Sequence, residues 1–151
     1  MVLQGSAVSD EPYWAHREHC ALPFYIPNKK YGKGGEKMQD CIFCKIASGE
    51  IPTNYIYEDE KIVAFNDIEP QAPVHILIIP KAHISSALEL DEGSADIVGH
   101  IFTVAGKIAR EQGFADAGFR LVNNCGKDGG QTVGHLHFHL LAGRYLQWPP
   151  G

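Results

Sequence analysis

The chain has 151 residues, of which 44% are apolar and 21% charged, and a net charge of −5. These values fit one globular domain with an appendage, long enough for a real core. No Lys/Arg stripe is present and no stretch reaches the ~20 apolar residues of a membrane span, so nucleic acid and membrane are excluded as main partners.

Residues 1–37 read differently from the rest. They hold Pro12, Pro23 and Pro27, run into a Lys/Gly stretch from Lys29 to Lys37, and lack sustained periodicity. We expect a poorly ordered N-terminal extension or leader there, with the domain spanning 38–151. His16, His19 and Cys20 are read as isolated surface residues. A basic start followed by an apolar run is missing, so the cytoplasm is the expected compartment.

From Cys41 to Ile46 a short helix is predicted, ended by Ser48-Gly49. Thr53–Glu58 and Ile62–Asn66 flank Asp59-Glu60-Lys61 as a hairpin. Val74–Ile79 is a nearly continuous apolar strand stopped by Pro80, with His75 its one polar member. Helical spacing runs from Ala87 to Gln112, where Ile97, Val98, Ile101, Phe102, Val104, Ala105, Ile108 and Ala109 form one stripe. Gly113 suits the left-handed position past its end. Phe119–Asn124 is the next strand, and 134–141 the last. A short helix, three strands, a long helix and two strands predict an α+β fold with a largely antiparallel sheet and its helix on one face.

The last strand carries the strongest signal. In Gly134-His135-Leu136-His137-Phe138-His139-Leu140-Leu141, three histidines alternate with bulky apolar residues. Period two puts His135, His137 and His139 on one face and Leu136, Phe138 and Leu140 in a core. A face of plain surface histidines, a catalytic metal site and nucleophilic catalysis at phosphorus are the three readings. The nucleophile needs a neutral ring whose second N–H is anchored, and the middle residue, His137, is best placed for it.

Before that strand lies a Gly-rich loop, Gly126 to Thr132, whose backbone is suited to anions and whose Gln131 and Thr132 bring an amide and a hydroxyl to the same site. Cys41-Ile-Phe-Cys44 has the spacing of a zinc half-site or a redox pair. The redox reading wants a βαβ context that is absent; zinc needs two more ligands, for which His83 and His135 are candidates, and reduced unliganded thiols are the other alternative. Asp67, at a strand end, is placed either to accept two ribose hydroxyls or simply to make a turn, with Phe43, Phe65 and Ile68 enclosing a base or filling a core.

These residues resemble a known pattern. His135-Leu-His137-Phe-His139-Leu-Leu is similar to the His-x-His-x-His-x-x signature of the histidine triad (HIT) family. The stretches Asp67–His75, Pro80-Lys-Ala-His83-Ile-Ser, Gly129-Gly-Gln-Thr132 and Trp148-Pro-Pro-Gly151 resemble its Hint branch, and the likeness covers about residues 41–151. The resemblance implies a HIT-like fold with a five-stranded antiparallel sheet and a long helix. It also implies a homodimer with a continuous ten-stranded sheet. The activity implied is hydrolysis of purine nucleoside 5′-phosphoramidates through a covalent nucleotidyl-histidine. A dinucleoside polyphosphate hydrolase and a nucleotide-binding scaffold with vestigial activity are the alternatives.

By the same resemblance His137 is the nucleophile, and His139 with the loop N–H groups, including those of Gly130 and Gln131, holds phosphate oxygens. His135 orients His137 through its carbonyl, and His75 supports the triad by hydrogen bonding. Thr132 relays a proton to the leaving amine, Asp67 binds ribose, Asn124 lies on the phosphate side, and Trp148 is a wall of the site. Cys41, Cys44, His83 and His135 hold a structural zinc, and no organic cofactor is implied. Two positions depart from the usual pattern: Thr132 replaces a serine, and Asn66 stands where a histidine often precedes the Asp.

Overall fold

A computed structural model of the chain describes residues 40–150. The expected boundary at residue 38 and the character assigned to 1–37 lie outside the described residues.

A short helix, α1 (Ile42–Ala47), leads into strands β1 (Tyr55–Glu58), β2 (Ile62–Asn66) and β3 (Val74–Pro80). The long helix α2 (Ala95–Glu111) follows, then β4 (Arg120–Val122) and β5 (Phe138–Ala142). The five strands make one sheet in the order β1-β2-β3-β5-β4, with every neighbouring pair antiparallel.

Alternation along the central strands sorts two cores. Ile62, Ala64, Ile76, Ile78, Leu136, Phe138 and Leu140 face α2 and meet its Ile101, Val104, Ala105 and Ile108. Val63, Phe65, Leu77 and Ile79 face the other way and pack with Cys41, Phe43, Cys44 and Ile46 of the α1 segment. β2 and β3 are thus covered on both sides, which is why they read as continuous apolar runs rather than as alternation.

Three elements and one side chain differ from expectation, the simplest being β4, which covers Arg120–Val122 rather than Phe119–Asn124. The helical stretch from Ala87 is a single 3₁₀ turn, Ala87–Glu89, and α2 starts only at Ala95. Between them Asp91 and Ser94 cap each other: Ser94 Oγ accepts from the Asp91 N–H at 2.8 Å, and Asp91 Oδ1 from the Ser94 N–H at 2.8 Å. Such side chains compete with helical bonding and set the start of the helix. Phe102, placed in the buried stripe, is 56% exposed, its ring edge-on to that of Phe138.

The histidine strand is also shorter than predicted, since pairing begins at Phe138. The preceding segment keeps its alternation without a ladder: β4 ends at Val122, and β3 runs on to Pro80 without pairing with it. The Leu136 N–H instead donates to the Ile84 carbonyl at 2.6 Å, and the Asn123 amide donates to the His137 carbonyl at 2.8 Å.

Candidate functional site

The face opposite α2 gathers the histidines. In the β3–β5 register Leu77 pairs with His139 and His75 with Leu141, so His75 and His139 are diagonal neighbours on one face. Their rings lie 5.1 Å apart, as do those of His137 and His139. Phe43, from α1, stands edge-on to His137 at 5.3 Å.

Backbone partners assign each ring's tautomer, since a backbone N–H only donates and a carbonyl only accepts. His137 Nδ1–H donates to the His135 carbonyl at 2.6 Å, leaving a lone pair on Nε2. His135 Nε2–H donates to the Pro80 carbonyl at 2.9 Å, leaving a lone pair on Nδ1. The Gln71 N–H donates to His75 Nδ1 at 3.1 Å, so the His75 proton sits on Nε2. From there it reaches His139 Nδ1 at 2.9 Å. The His139 proton is therefore on Nε2, the one buried side-chain nitrogen or oxygen without a hydrogen-bond partner among the described residues.

Burial favours the neutral rings. It pushes His135 down to about 4, helped by His83 and His137 and opposed by the bond to Pro80. Burial likewise pushes His139 down to about 4, with His137 and His75 adding to the effect and Asp67 opposing it.

Two clusters bring metal-type donors together, and the tautomers separate them. Around Cys41, Cys44, His83 and His135 the four donor atoms all lie within 4.8 Å of one another. His135 Nδ1 is 3.4 Å from Cys41 Sγ and 3.5 Å from Cys44 Sγ, and His83 Nδ1 is 3.2 Å from Cys44 Sγ. Tetrahedral zinc with Zn–S of about 2.3 Å and Zn–N of about 2.0 Å sets such ligands roughly 3.5 Å apart. The His135 lone pair faces the sulfurs while its N–H is anchored behind, as a metal-binding imidazole requires. The cluster fits a structural zinc.

Asp67, His75 and His139 form the second cluster. Here the Gln71 N–H occupies His75 Nδ1 and leaves Nε2 protonated, so the trio is a hydrogen-bonded His75–His139 pair with the Asp67 carboxylate beside it, not a cage of lone pairs.

The remaining expected residues divide. Phe43 and Phe65 are buried in the smaller core, whereas Ile68 is 95% exposed. Asp67 accepts the Glu69 N–H on Oδ1 at 2.9 Å, a turn contact, and its Oδ2 lies 3.3 Å from His75 Nε2. Asn124 is half-buried, with Nδ2 4.0 Å from where a Cβ on Gly130 would stand. Thr132 is exposed.

The loop N–H groups of Gly130 and Gln131 are taken by the Lys127 and Gly126 carbonyls, 3.0 Å each, so these two do not cradle an anion. The Gln131 side chain is taken as well. Its amide donates to the Ser85 carbonyl at 2.7 Å and the Val133 carbonyl at 2.9 Å, and its Oε1 accepts the Gly126 N–H at 3.0 Å. It braces the loop rather than facing a ligand. The turn is tight as well, since a Cβ on Gly129 would lie 2.3 Å from the Cys125 carbonyl oxygen. Trp148 is 81% exposed. Its segment is tied back by Arg120 Nη2, which donates to the Leu146 and Gln147 carbonyls at 3.0 and 2.8 Å.

Residues that sequence reasoning missed act mostly through the backbone: Gln71, Pro80 and Ile84. Asn123 is the exception, and nothing in the sequence distinguishes it from Asn124 next to it.

Comparison with known proteins gives a consistent result. A model of the HIT domain matches residues 48–146. An uncharacterized HIT-like protein of Synechococcus elongatus is 50% identical over 113 residues, 75% of this chain and 98% of its own length. A 14 kDa zinc-binding protein of Brassica juncea is 47% identical over 114 residues, 74% of this chain and 100% of its own. Among solved structures, a HIT family hydrolase from Legionella pneumophila is 48% identical with a TM-score of 0.72, covering 74% of this chain and 100% of that one. A histidine triad protein from Clostridium difficile is 54% identical with the same TM-score, 0.72, covering 74% and 97%.

Proposed function

The chain belongs to the HIT domain family, and from that premise we propose that it is a Hint-branch hydrolase of purine nucleoside 5′-phosphoramidates. The observation that carries this reading is the tautomer pair at the centre of the triad. His137 has a lone pair on Nε2, its other nitrogen pinned by the His135 carbonyl, and the neighbouring His139 offers an unpartnered buried N–H. A nucleophile beside a fixed donor is the arrangement that displacement at phosphorus needs.

In the first step the His137 Nε2–P bond forms and the P–N bond breaks. Its electron pair leaves with the amine, which takes up a proton drawn from solvent through the exposed Thr132 hydroxyl. His139 Nε2–H donates to a phosphoryl oxygen as charge builds there. Water then attacks the phosphorus and gives its proton back to solvent, the P–Nε2 bond breaks with its electron pair returning to Nε2, and neutral His137 and the nucleoside monophosphate result. Asp67 accepts the ribose hydroxyls, Phe43, Phe65 and Ile68 flank the base, and Asn124 lies on the phosphate side. Gly130 and Gln131 shape the loop that carries Thr132.

A zinc held by Cys41, Cys44, His83 and His135 supplies a cross-link between the α1 segment, the loop after β3 and the triad segment. A reducing compartment, the cytoplasm, suits those thiols. Among the described residues no helix is long and apolar enough to cross a membrane. A homodimer through the exposed edge of β4 would extend the sheet to ten strands and cover apolar surface at Phe102, Phe119 and Trp148.

Intact mass after trapping with a slow AMP phosphoramidate tests the reaction class. One nucleotidyl group on His137 is the expected product. Turnover of diadenosine polyphosphate with none of an AMP–lysine amide would assign the chain to the alternative hydrolase instead.

A further inference from the structure

The His75 Nε2–H is hydrogen-bonded to His139 and lies beside the carboxylate of Asp67. His139 Nδ1 is 2.9 Å from His75 Nε2, and Asp67 Oδ2 is 3.3 Å from the same atom. The proton cannot retreat to the other side of the ring, because the Gln71 N–H already occupies His75 Nδ1 at 3.1 Å. Beyond His139 Nδ1 the chain ends in the buried, unpartnered Nε2–H.

We propose that Asp67, His75 and His139 form a coupling chain through which sugar hydroxyls bound at Asp67 strengthen His139 as a donor to the phosphoryl group. The proposal rests on the nucleotide reading of the site. Hydroxyl groups donating to the Asp67 carboxylate draw off part of its charge and so weaken its pull on the His75 N–H 3.3 Å away. The bond that N–H already makes to His139 Nδ1 is strengthened. A ring that accepts a stronger bond on one nitrogen donates more strongly from the other, the cooperativity of linked hydrogen bonds in a low-dielectric setting. Asp67 also acts on His139 through its charge, which opposes the effect of burial on that ring. Geometry and charge thus link the sugar end of the site to the phosphate end. Sugar recognition accordingly appears in the rate of the chemical step and not only in binding.

Imidazole ¹⁵N NMR of the full chain tests this without any reaction. Adenosine, which carries no phosphate, should shift the His139 Nδ1 resonance upfield, as an acceptor nitrogen moves when its bond strengthens. 2′,3′-Dideoxyadenosine, which keeps the base and lacks both hydroxyls, should shift residues around Phe43, Phe65 and Ile68 and leave His139 in place. The near-isosteric Asp67→Asn should abolish the adenosine effect on His139. Kinetically, removing both hydroxyls from the phosphoramidate should lower kcat ~3–10-fold, about the effect of one hydrogen bond, beyond any rise in KM. Adenosine that moves the base-side residues and not His139 overturns the coupling while leaving the nucleotide site intact. An equal His139 shift with the dideoxy compound does the same. If adenosine moves no resonance at all, the nucleotide reading falls and the coupling with it.

Discussion

Gln131→Met separates two roles for a residue that sits in the Gly-rich loop. The replacement keeps length and volume and removes both donors and the acceptor. In the structure those groups make three bonds to backbone, with Ser85, Val133 and Gly126 at 2.7, 2.9 and 3.0 Å. Each is worth about 0.5–1.5 kcal/mol net, and Gly126 and Ser85 are exposed enough for water to replace part of the loss, so about 2 kcal/mol is expected in total. For a domain of this size that lowers the melting temperature by roughly 6–10 °C. Differential scanning calorimetry at pH 7 measures it, with turnover recorded on the same samples. Because the brace fixes the loop carrying Thr132, kcat should fall together with stability. A variant with unchanged melting temperature and a raised KM would refute the brace and return the amide to ligand contact.

Three further outcomes follow from the site. His137→Ala should lower turnover at least ~10³-fold while AMP still binds, measured by calorimetry and steady-state kinetics; near-normal turnover would remove His137 as nucleophile. Metal analysis of the reduced protein should find about one zinc per chain, and Cys44→Ser should lose it together with on the order of 10 °C of melting temperature. His139 is held down at about 4 from an ordinary 6.5, so its unfolded form takes up a proton first. Stability should therefore fall as pH drops from about 6.5 towards 4 and level off below. Urea midpoints across that range should show a shallower slope in His139→Gln than in the unaltered chain, the metal contribution being common to both; equal slopes would count against a depressed His139.

The sequence carried the side-chain half of the site and little of its backbone half. Alternation at 135–139 placed three imidazoles on one face, and Cys-x-x-Cys with His83 and His135 marked the zinc cluster that the structure assembles. Periodicity said nothing of where pairing stops, because Leu136 keeps its inward position whether a strand or the Ile84 carbonyl takes its N–H. The helix was overextended for a related reason: Ala87–Ser94 has helical spacing, but the reciprocal Asp91–Ser94 bonds overrule it. Gln131 illustrates the general limit. An amide in a Gly-rich loop has the right chemistry for a ligand or for the loop itself, and only the positions of three carbonyl and amide groups decide between them.

Those backbone partners also account for one residue type doing four jobs. The ladder's early end at Phe138 leaves the His135 carbonyl outside the sheet, where it takes the His137 N–H at 2.6 Å. Had β4 run on to Gly126, the position opposite His135 in the same register, a neighbouring strand would share that carbonyl, and the tautomer that exposes a lone pair on His137 Nε2 would lose its anchor. Pro80 does the equivalent for His135, its carbonyl turning the ring so that Nδ1 meets two sulfurs. Gln71 does it for His75 from a loop, and through His75 for His139. His135→Phe preserves the apolar fit and the carbonyl at once, and should therefore lose zinc while keeping His137 oriented, a separation of structure from chemistry that removal of the whole segment could not reveal. Zinc content near zero with His137 still in its Nδ1–H form by ¹⁵N NMR is the expected result. Retention of metal, or a mixed His137 tautomer in a folded variant, would mean that the two functions of His135 are not divided between its ring and its backbone.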